Sequence, residues 1–434
     1  MVSKLERAFV VFALMFFSDA VLTLLEDPNR ELDFDVTTTD PIRATVALAV
    51  YVILVAFWLC NLRVLTDALR SSKLLLSLIA LAVVSASWSP DPAVSAKRAV
   101  LLLATTLFGI YFAARFDSDG QLRIIAVTMA IALGASIIMA LAFPSYGTQA
   151  EMGGAWRGIF WHKNQFGKIG VLSAFVFLLL RKQTPSRRWF WNLALVLALV
   201  AVVLSRSATA IVVVLAVGLS LIAVNILRLP VRLGIPVACI ALAMTTSAAV
   251  LATANMDFVF ASLGREATLT GRTDIWTALK VPIAKHLWLG YGYGGYWLGP
   301  GSESEAVAED AHWDVKYAHN GFLDMTLQLG AVGLAAFSLL FWMYTRAALR
   351  LARSQRGGAS LWPVCYLVFM LCYNFSDSTL MAHNSLFWVL FVGISLPVIR
   401  TTKRSVTSLD IRASFPSVGA ELCARCSTVP EVRS

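Results

Sequence analysis

Four short stretches hold the residues best suited to chemistry. "YAHNGFLDMTLQLGAVGL", residues 317–334, sets His319 and Asn320 directly before a long apolar run. "EMGGAWRGIFWHKNQFGK", residues 151–168, gathers Arg157, His162, Lys163, Asn164 and Lys168. "LSRSATA" has Arg206 as its only charge, and "GRTDIW" offers Arg272. A neutral imidazole can take a proton from a hydroxyl, and guanidinium groups hold phosphate oxygens in pairs. Together these residue types could bind phosphate beside a base for a hydroxyl. Each also has a plainer reading. A histidine at a helix entrance is often a cap, an arginine at a membrane edge snorkels, and a basic loop meets lipid phosphates. No G-x-S-x-G or Walker motif is present, and no carboxylate–histidine cluster suggests a metal.

The elements that must position these residues are membrane helices. The chain has 434 residues, 58% hydrophobic and only 14% charged, against about 25% charged in a soluble domain. A hydrocarbon core roughly 30 Å thick needs about 20 apolar helical residues. Such runs recur at about 8–25, 44–62, 73–87, 99–114, 124–143, 169–181, 190–204, 208–226, 234–253, 321–345, 360–376 and 384–399. Lipid supplies no hydrogen-bond partners, so the backbone must bond within helices. The expected fold is an all-α polytopic membrane protein with about 12 transmembrane helices over residues 1–400.

Lys4 and Arg7 precede the first apolar run without a small-residue cleavage site, which predicts an uncleaved helix. The basic segments "NLRVLTDALRSSK", "RKQTPSRR", "LRLPVR", "RAALRLARSQR" and "RTTKR" fall on alternate connections, on the side of "MVSKLER". The positive-inside rule then makes both termini cytoplasmic and the long 254–319 loop, before the tenth span, periplasmic. That bias accounts for the +10 net charge without a nucleic-acid partner. Residues 401–434 form a Ser/Pro-rich tail, expected to be disordered. Its Cys423 and Cys426 make a C-x-x-C with no second pair, a spacing better read as chance than as zinc.

Within the long loop, Ile275, Trp276, Leu279, Ile283 and Leu287 recur at helical spacing and predict an interfacial amphipathic helix that Pro282 should kink or interrupt. "GYGYGGYW" fits G-x-G-x-x-G, but no strand leads into it, so a dinucleotide site is excluded. Its tyrosines are expected to present aromatic faces to sugar rings or to the interface. "GSESEAVAEDAHWDVK" is acidic and expected to be mobile.

In this order within a many-span chain, "GIFWHKNQFG", "SRSATA", "GRTDIW" and "AHNGFLDMTLQLGAVGL" resemble the O-antigen ligase and polymerase superfamily, most nearly ExoQ-type (Wzy-like) exopolysaccharide polymerases, over roughly residues 40–400. The resemblance implies a multi-pass protein of the bacterial inner membrane that polymerises undecaprenyl-pyrophosphate-linked oligosaccharides at the periplasmic face, with no cofactor and no nucleotide sugar. It implies that His319, within an H-N-x-x-L signature that keeps Asn320 and Leu323, activates the acceptor hydroxyl. Arg206 and Arg272 would bind the pyrophosphate, with His162, Lys163 and Asn164 matching the H-K-N segment and Arg157 in the same basic stretch. Membrane lipid and polysaccharide chain-length and export proteins are the partners this implies. Two other readings stand beside it. A ligase would pass the finished glycan to another acceptor, and a transporter would carry ionisable residues and broken helices near the midplane.

Overall fold

The computed structural model describes residues 2–20, 41–228, 272–311 and 315–395. The predicted span at 234–253 and the tail from 401 lie outside them. The chain order is α1 (Lys4–Phe17), α2 (Pro41–Leu59), α3 (Leu62–Ser71), α4 (Lys73–Val84), α5 (Pro92–Arg115), α6 (Ser118–Ala142) and a single turn α7 (Pro144–Gly147). A two-residue hairpin follows, β1 (Thr148–Gln149) antiparallel to β2 (Ala155–Trp156) with Thr148 opposite Trp156. Then come α8 (Lys163–Gln183), α9 (Arg188–Leu204), α10 (Ala208–Leu227), α11 (Arg272–Ala278), α12 (Lys280–Lys285), α13 (Glu305–Ala311), α14 (Gly321–Ser354), α15 (Gly358–Tyr373) and α16 (Leu386–Gly393).

The protein is mostly helical, and α2, α5, α6, α8, α9, α10 and α14 are long and apolar enough to cross a membrane. The pair α3–α4, bent by 84°, makes an eighth candidate. The all-α polytopic class therefore holds. α1, α15 and α16, with 14, 16 and 8 residues, coincide with predicted spans but are shorter than that measure requires. Two boundaries moved for local reasons. The connection "NLRVLTDALRSSK" folds as α3. The fourth span begins earlier than its apolar run, because Asp91 accepts the Val94 N–H (3.0 Å) and Pro92 opens the helix at a position that needs no donor.

α8 is buried along most of its length and packs against α6, α9, α10 and α15. The outer helices leave apolar rows exposed, such as Leu48, Val52 and Val55 on α2 or Val212, Leu215 and Leu219 on α10, as a lipid-facing surface should. At one end of the bundle the buried Glu6 accepts from Arg115 (2.6 and 3.0 Å) and from Tyr111 (2.6 Å). At that same end Arg228 closes α10 onto the Ala352 and Gln355 carbonyls (2.7 and 3.0 Å). The opposite end gathers the entrances of α5, α8, α10, α14 and α16.

The segment before α14 folds onto that second end. Ile275 and Leu279 are fully buried and lie with Tyr291, Tyr296 and Trp297, so the first part of this apolar face packs on its own loop, while Leu287 at its end stays exposed. The helix breaks at Leu279, between α11 and α12, three residues before the predicted interruption. The cause is still Pro282, which offers no N–H to the Ala278 carbonyl four residues back and would clash with it. The tyrosines of "GYGYGGYW" point inward, with Tyr291, Tyr293 and Tyr296 at most 4% exposed, so none offers a free stacking face. The acidic stretch, expected to be mobile, contains α13, which packs on α11.

α14 is broken at Gly330, whose φ of +64° lies outside the helical region. The interrupted ladder is repaired by the loop: Tyr291 N–H donates to the Leu327 carbonyl (2.7 Å), and Ala331 and Val332 donate to Leu287 (2.7 Å) and Trp288 (3.2 Å). Only glycine fits there, because a Cβ would sit 2.2 Å from the Trp288 carbonyl carbon.

Candidate active site

The entrance of α8 is a cap built from two side chains. Lys163 N–H donates to Gln149 Oε1 (2.8 Å), and Asn164 N–H donates to His162 Nδ1 (3.1 Å). Nδ1 as acceptor leaves the proton of the neutral ring on Nε2. Burial, and then the charge of Lys163, lowers the His162 pKa. Arg157 donates from Nε to the Tyr146 carbonyl (2.6 Å) and from Nη1 to that of Trp161 (3.4 Å), tying α7 to the segment that leads into α8.

One turn further, Lys168 is only 3% exposed and pairs with Asp377, in the connection between α15 and α16. Its ammonium also lies 4.8 Å from the Phe387 ring centre and 5.5 Å from that of Tyr373. Burial pushes the Asp377 carboxyl up; Lys168's charge and hydrogen bond outweigh it and hold the group below the usual carboxylate range.

The α14 entrance is tied to this connection. Gly321 N–H donates to the Asn374 and Asp377 carbonyls (2.9 and 3.0 Å). Asn320 is the cap, its Oδ1 accepting from Phe322 and Leu323 N–H (3.0 and 3.2 Å). His319 itself is not the cap. Its backbone is left-handed (φ +49°), and its ring lies against Tyr317, 4.1 Å between centres. Burial, and then the Arg272 guanidinium, pulls its pKa from 6.5 to about 4; His162 and Lys168 add to the fall, and Asp377 opposes it.

Asp324 supports that entrance from below. Its carboxylate accepts the Trp297 indole N–H (2.7 Å) and the Ala318 N–H (3.1 Å), so the residue before His319 is fixed. The Ala318 carbonyl accepts the Trp276 indole N–H (2.9 Å). Arg272 and Trp276 are four apart on α11 and share a face, which brings Arg272 to His319.

Arg206 stands at the rim. It is exposed, with a left-handed backbone (φ +47°), and a Cβ on Gly153 would lie 2.8 Å from its Nη1. Its turn packs on the first turns of α8, where a Cβ on Gly167 would meet Ser205 Oγ at 2.7 Å. Thr209 and Ser376 hydroxyls, 3.2 Å apart, join the α10 entrance to Asp377's segment.

His319, Asn320, Arg272 and His162 thus come to one end of the bundle, with Arg206 on the rim and Arg157, Lys163 and Asn164 in the adjoining cap. Sequence reasoning gave Lys168 no role within its basic stretch and missed Asp377. Lys168 was visible as a cation one turn into an apolar span, and Asp377 as a carboxylate beside another. Each alone reads as a span edge, and only the fold pairs them. Among the described residues no group of three His, Cys, Asp or Glu side chains is placed to hold a metal.

Comparison with known proteins bears on the same segment. Residues 193–338 match the family model described as O-antigen ligase (Wzy_C), an interval that contains Arg206, Arg272, His319 and Asn320. The chain is 28% identical over 166 residues to the exopolysaccharide production protein ExoQ of Rhizobium meliloti (strain 1021), covering 36% of this chain and 37% of that protein. Over this segment the chain is similar to the O-antigen ligase superfamily. Arg157, His162, Lys163, Asn164, Lys168 and Asp377 fall outside the matched interval.

Proposed function

We propose that this protein is a membrane glycosyltransferase that polymerises undecaprenyl-pyrophosphate-linked oligosaccharide repeats into exopolysaccharide at the periplasmic face of the inner membrane, with about twelve spans and both termini cytoplasmic. The observation that carries the reading is the gathering of His319, Arg272, His162 and the Lys168–Asp377 pair at the helix entrances. In the reaction the acceptor hydroxyl oxygen bonds to the donor's anomeric carbon. The bond from that carbon to the pyrophosphate oxygen breaks and its electron pair stays on the pyrophosphate, while the hydroxyl proton passes to the His319 imidazole. Arg206 and Arg272 hold the departing charge, with Arg157, Lys163, Asn164 and Asn320 shaping the pocket. Fixed cations of this kind stabilise charge as it develops and can stand in for a metal ion.

A free imidazole with a pKa near 4 is a weak base. Bound pyrophosphate supplies negative charge beside Arg272 and raises it, so the substrate itself tunes the base that acts on the next hydroxyl.

The family description favours a second reading, a ligase that passes the finished glycan to a different acceptor; the ExoQ likeness favours polymerisation. Transport is disfavoured because the buried Lys168–Asp377 pair lies at the helix entrances, and the break at Gly330, nine residues into α14, is closed by hydrogen bonds to the 287–291 loop rather than left open to an ion. The test is to incubate purified protein with lipid-linked repeats. A ladder of chain lengths supports polymerisation, and its absence with donor still consumed onto a distinct acceptor supports ligation. Arg206→Ala and Arg272→Ala should each abolish the ladder, with lysine a poor substitute because it lacks the planar fork. Full activity in both would leave these arginines as snorkelling residues.

A further inference from the structure

The tripeptide Ala-His-Asn occurs twice. Ala318–Asn320 opens α14, and Ala382–Asn384 opens α16 at the same end of the bundle. The second copy lies outside the site above, yet its surroundings repeat the same parts. His319 has Tyr317 beside it; His383 has Tyr293, with Nδ1 3.4 Å from the phenol oxygen. His319 lies in the field of Arg272; His383 lies in the field of Arg98, with Arg43 and Lys97 beyond.

The second cluster is held together by hydrogen bonds between distant segments rather than being a surface accident. Arg98 crosses under the glycine-rich loop and donates from Nη1 to the Gly294 carbonyl (2.5 Å). Tyr293 N–H donates to Ser85 Oγ (2.8 Å), and the Tyr293 hydroxyl to the Met381 carbonyl (2.6 Å), which fixes the loop between α4 and the α16 entrance. Asn384, left-handed at φ +52°, spends its side chain on the Tyr51 hydroxyl (2.5 Å), and its N–H on Thr105 (2.9 Å). His383, Asn384, Tyr51 and Arg98 are each half-buried, so the pocket between α2, α5 and the α16 entrance remains reachable. The facing charges are Arg98, Arg43 and Lys97, against Asp19, which bonds Arg43 (3.4 Å), and Asp91 near Arg98. The balance is cationic by one charge around half-buried groups, which suits an anion with several oxygens.

We infer that the Arg98–His383–Tyr51 pocket is a second polyprenyl-pyrophosphate site, on the far side of the 374–384 connection from His319, and that it holds the acceptor's lipid pyrophosphate while the donor's sits at Arg272. The inference rests on the polymerase reading, since only a reaction between two lipid-linked repeats needs two such sites. Asp377 faces the first site and His383 the second, so one short connection separates the two substrates.

The experiment counts binding of labelled undecaprenyl pyrophosphate to the full chain in phosphatidylcholine nanodiscs. Wild type should take up two equivalents. Arg98→Gln and His383→Gln should each lose one, Arg272→Gln should lose the other, and Arg98→Lys, which preserves folding and charge, should retain weak binding. If Arg272→Gln loses an equivalent while Arg98→Gln and His383→Gln lose none, the second site is refuted and the polymerase reading survives. No binding by wild type at all would sink both. A phosphatidylglycerol nanodisc separates sources: if it abolishes the Arg98-dependent equivalent, the pocket takes any lipid phosphate and the inference fails.

Discussion

Lys168 and Asp377 form an ion pair between the second turn of α8, the most buried of the candidate membrane spans, and the connection bonded to the α14 entrance. The pair fixes the floor of the candidate site to the bundle, with the Lys168 ammonium also lying over two aromatic rings. Removing one partner of a buried pair strands the other charge and costs roughly 3–5 kcal/mol, whereas replacing both by apolar groups of similar volume is often neutral. Lys168→Ala should therefore lower the melting temperature sharply. The double variant Lys168→Met/Asp377→Leu should melt near wild type yet make no polymer. If the double variant still produced a full ladder, the pair would serve folding alone.

Gly330 supports a different joint, where broken helix and loop complete each other's hydrogen bonds. A non-glycine residue held left-handed costs about 1–3 kcal/mol, and here an added Cβ also meets the Trp288 backbone. Gly330→Ala should loosen the 287–291 loop, seen as faster proteolysis there, and should reduce polymer yield. Gly134→Ala, on α6 with open space around it, is the matched control and should change neither.

How much of this was legible beforehand differs by element. Apolar runs gave the helical membrane class, and paired His–Asn and Arg motifs pointed to the residues that meet near α14. Other features depended on contacts that no local pattern encodes. The aromatic loop reads as a surface that binds sugars, but Tyr293 and Trp297 turn inward because Ser85, Met381 and Asp324 supply partners from distant segments. Asp324, five residues past His319, is off that helical face and carries no local signal; it acts through Ala318, upstream of the helix. The Gly330 break looks in sequence like an ordinary glycine in a span. Its repair by Leu287 and Trp288 is purely tertiary.

Asp324 leads to a third prediction. It touches no substrate in this reading and acts as a positioning residue, holding Ala318 and the Trp297 indole. Asp324→Asn swaps one acceptor oxygen for a donor that faces N–H groups, so the His319 entrance should shift. Misplacement near 1 Å can cost about 100-fold in rate. The expected signature is a lower kcat with little change in KM and an acid limb still present. If KM rose and kcat did not fall, Asp324 would be shaping the binding pocket instead.

The last prediction concerns His319 and pH. Burial and Arg272 hold its pKa near 4 in the free protein, so at neutral pH the ring is unprotonated and ready to accept a proton. The dependence of kcat/KM reports the free enzyme, and that of kcat reports the substrate complex. The acid limb of kcat/KM should therefore lie well below the ordinary histidine range. The limb of kcat should lie at higher pH, because bound pyrophosphate offsets Arg272 and restores proton affinity. The same depression has a stability sign. Between pH 6.5 and about 4 the unfolded chain takes up a proton at this residue that the folded chain refuses, so folding stability falls as pH drops through that window. His319→Gln removes both effects: the ladder should fall by roughly 10²–10⁴-fold, the typical worth of general-base assistance, and the melting temperature should lose part of its acid dependence. If glutamine kept near-normal turnover with both limbs in place, His319 would only position the acceptor, and His162, the neutral imidazole at the neighbouring α8 entrance, would be the base to test next.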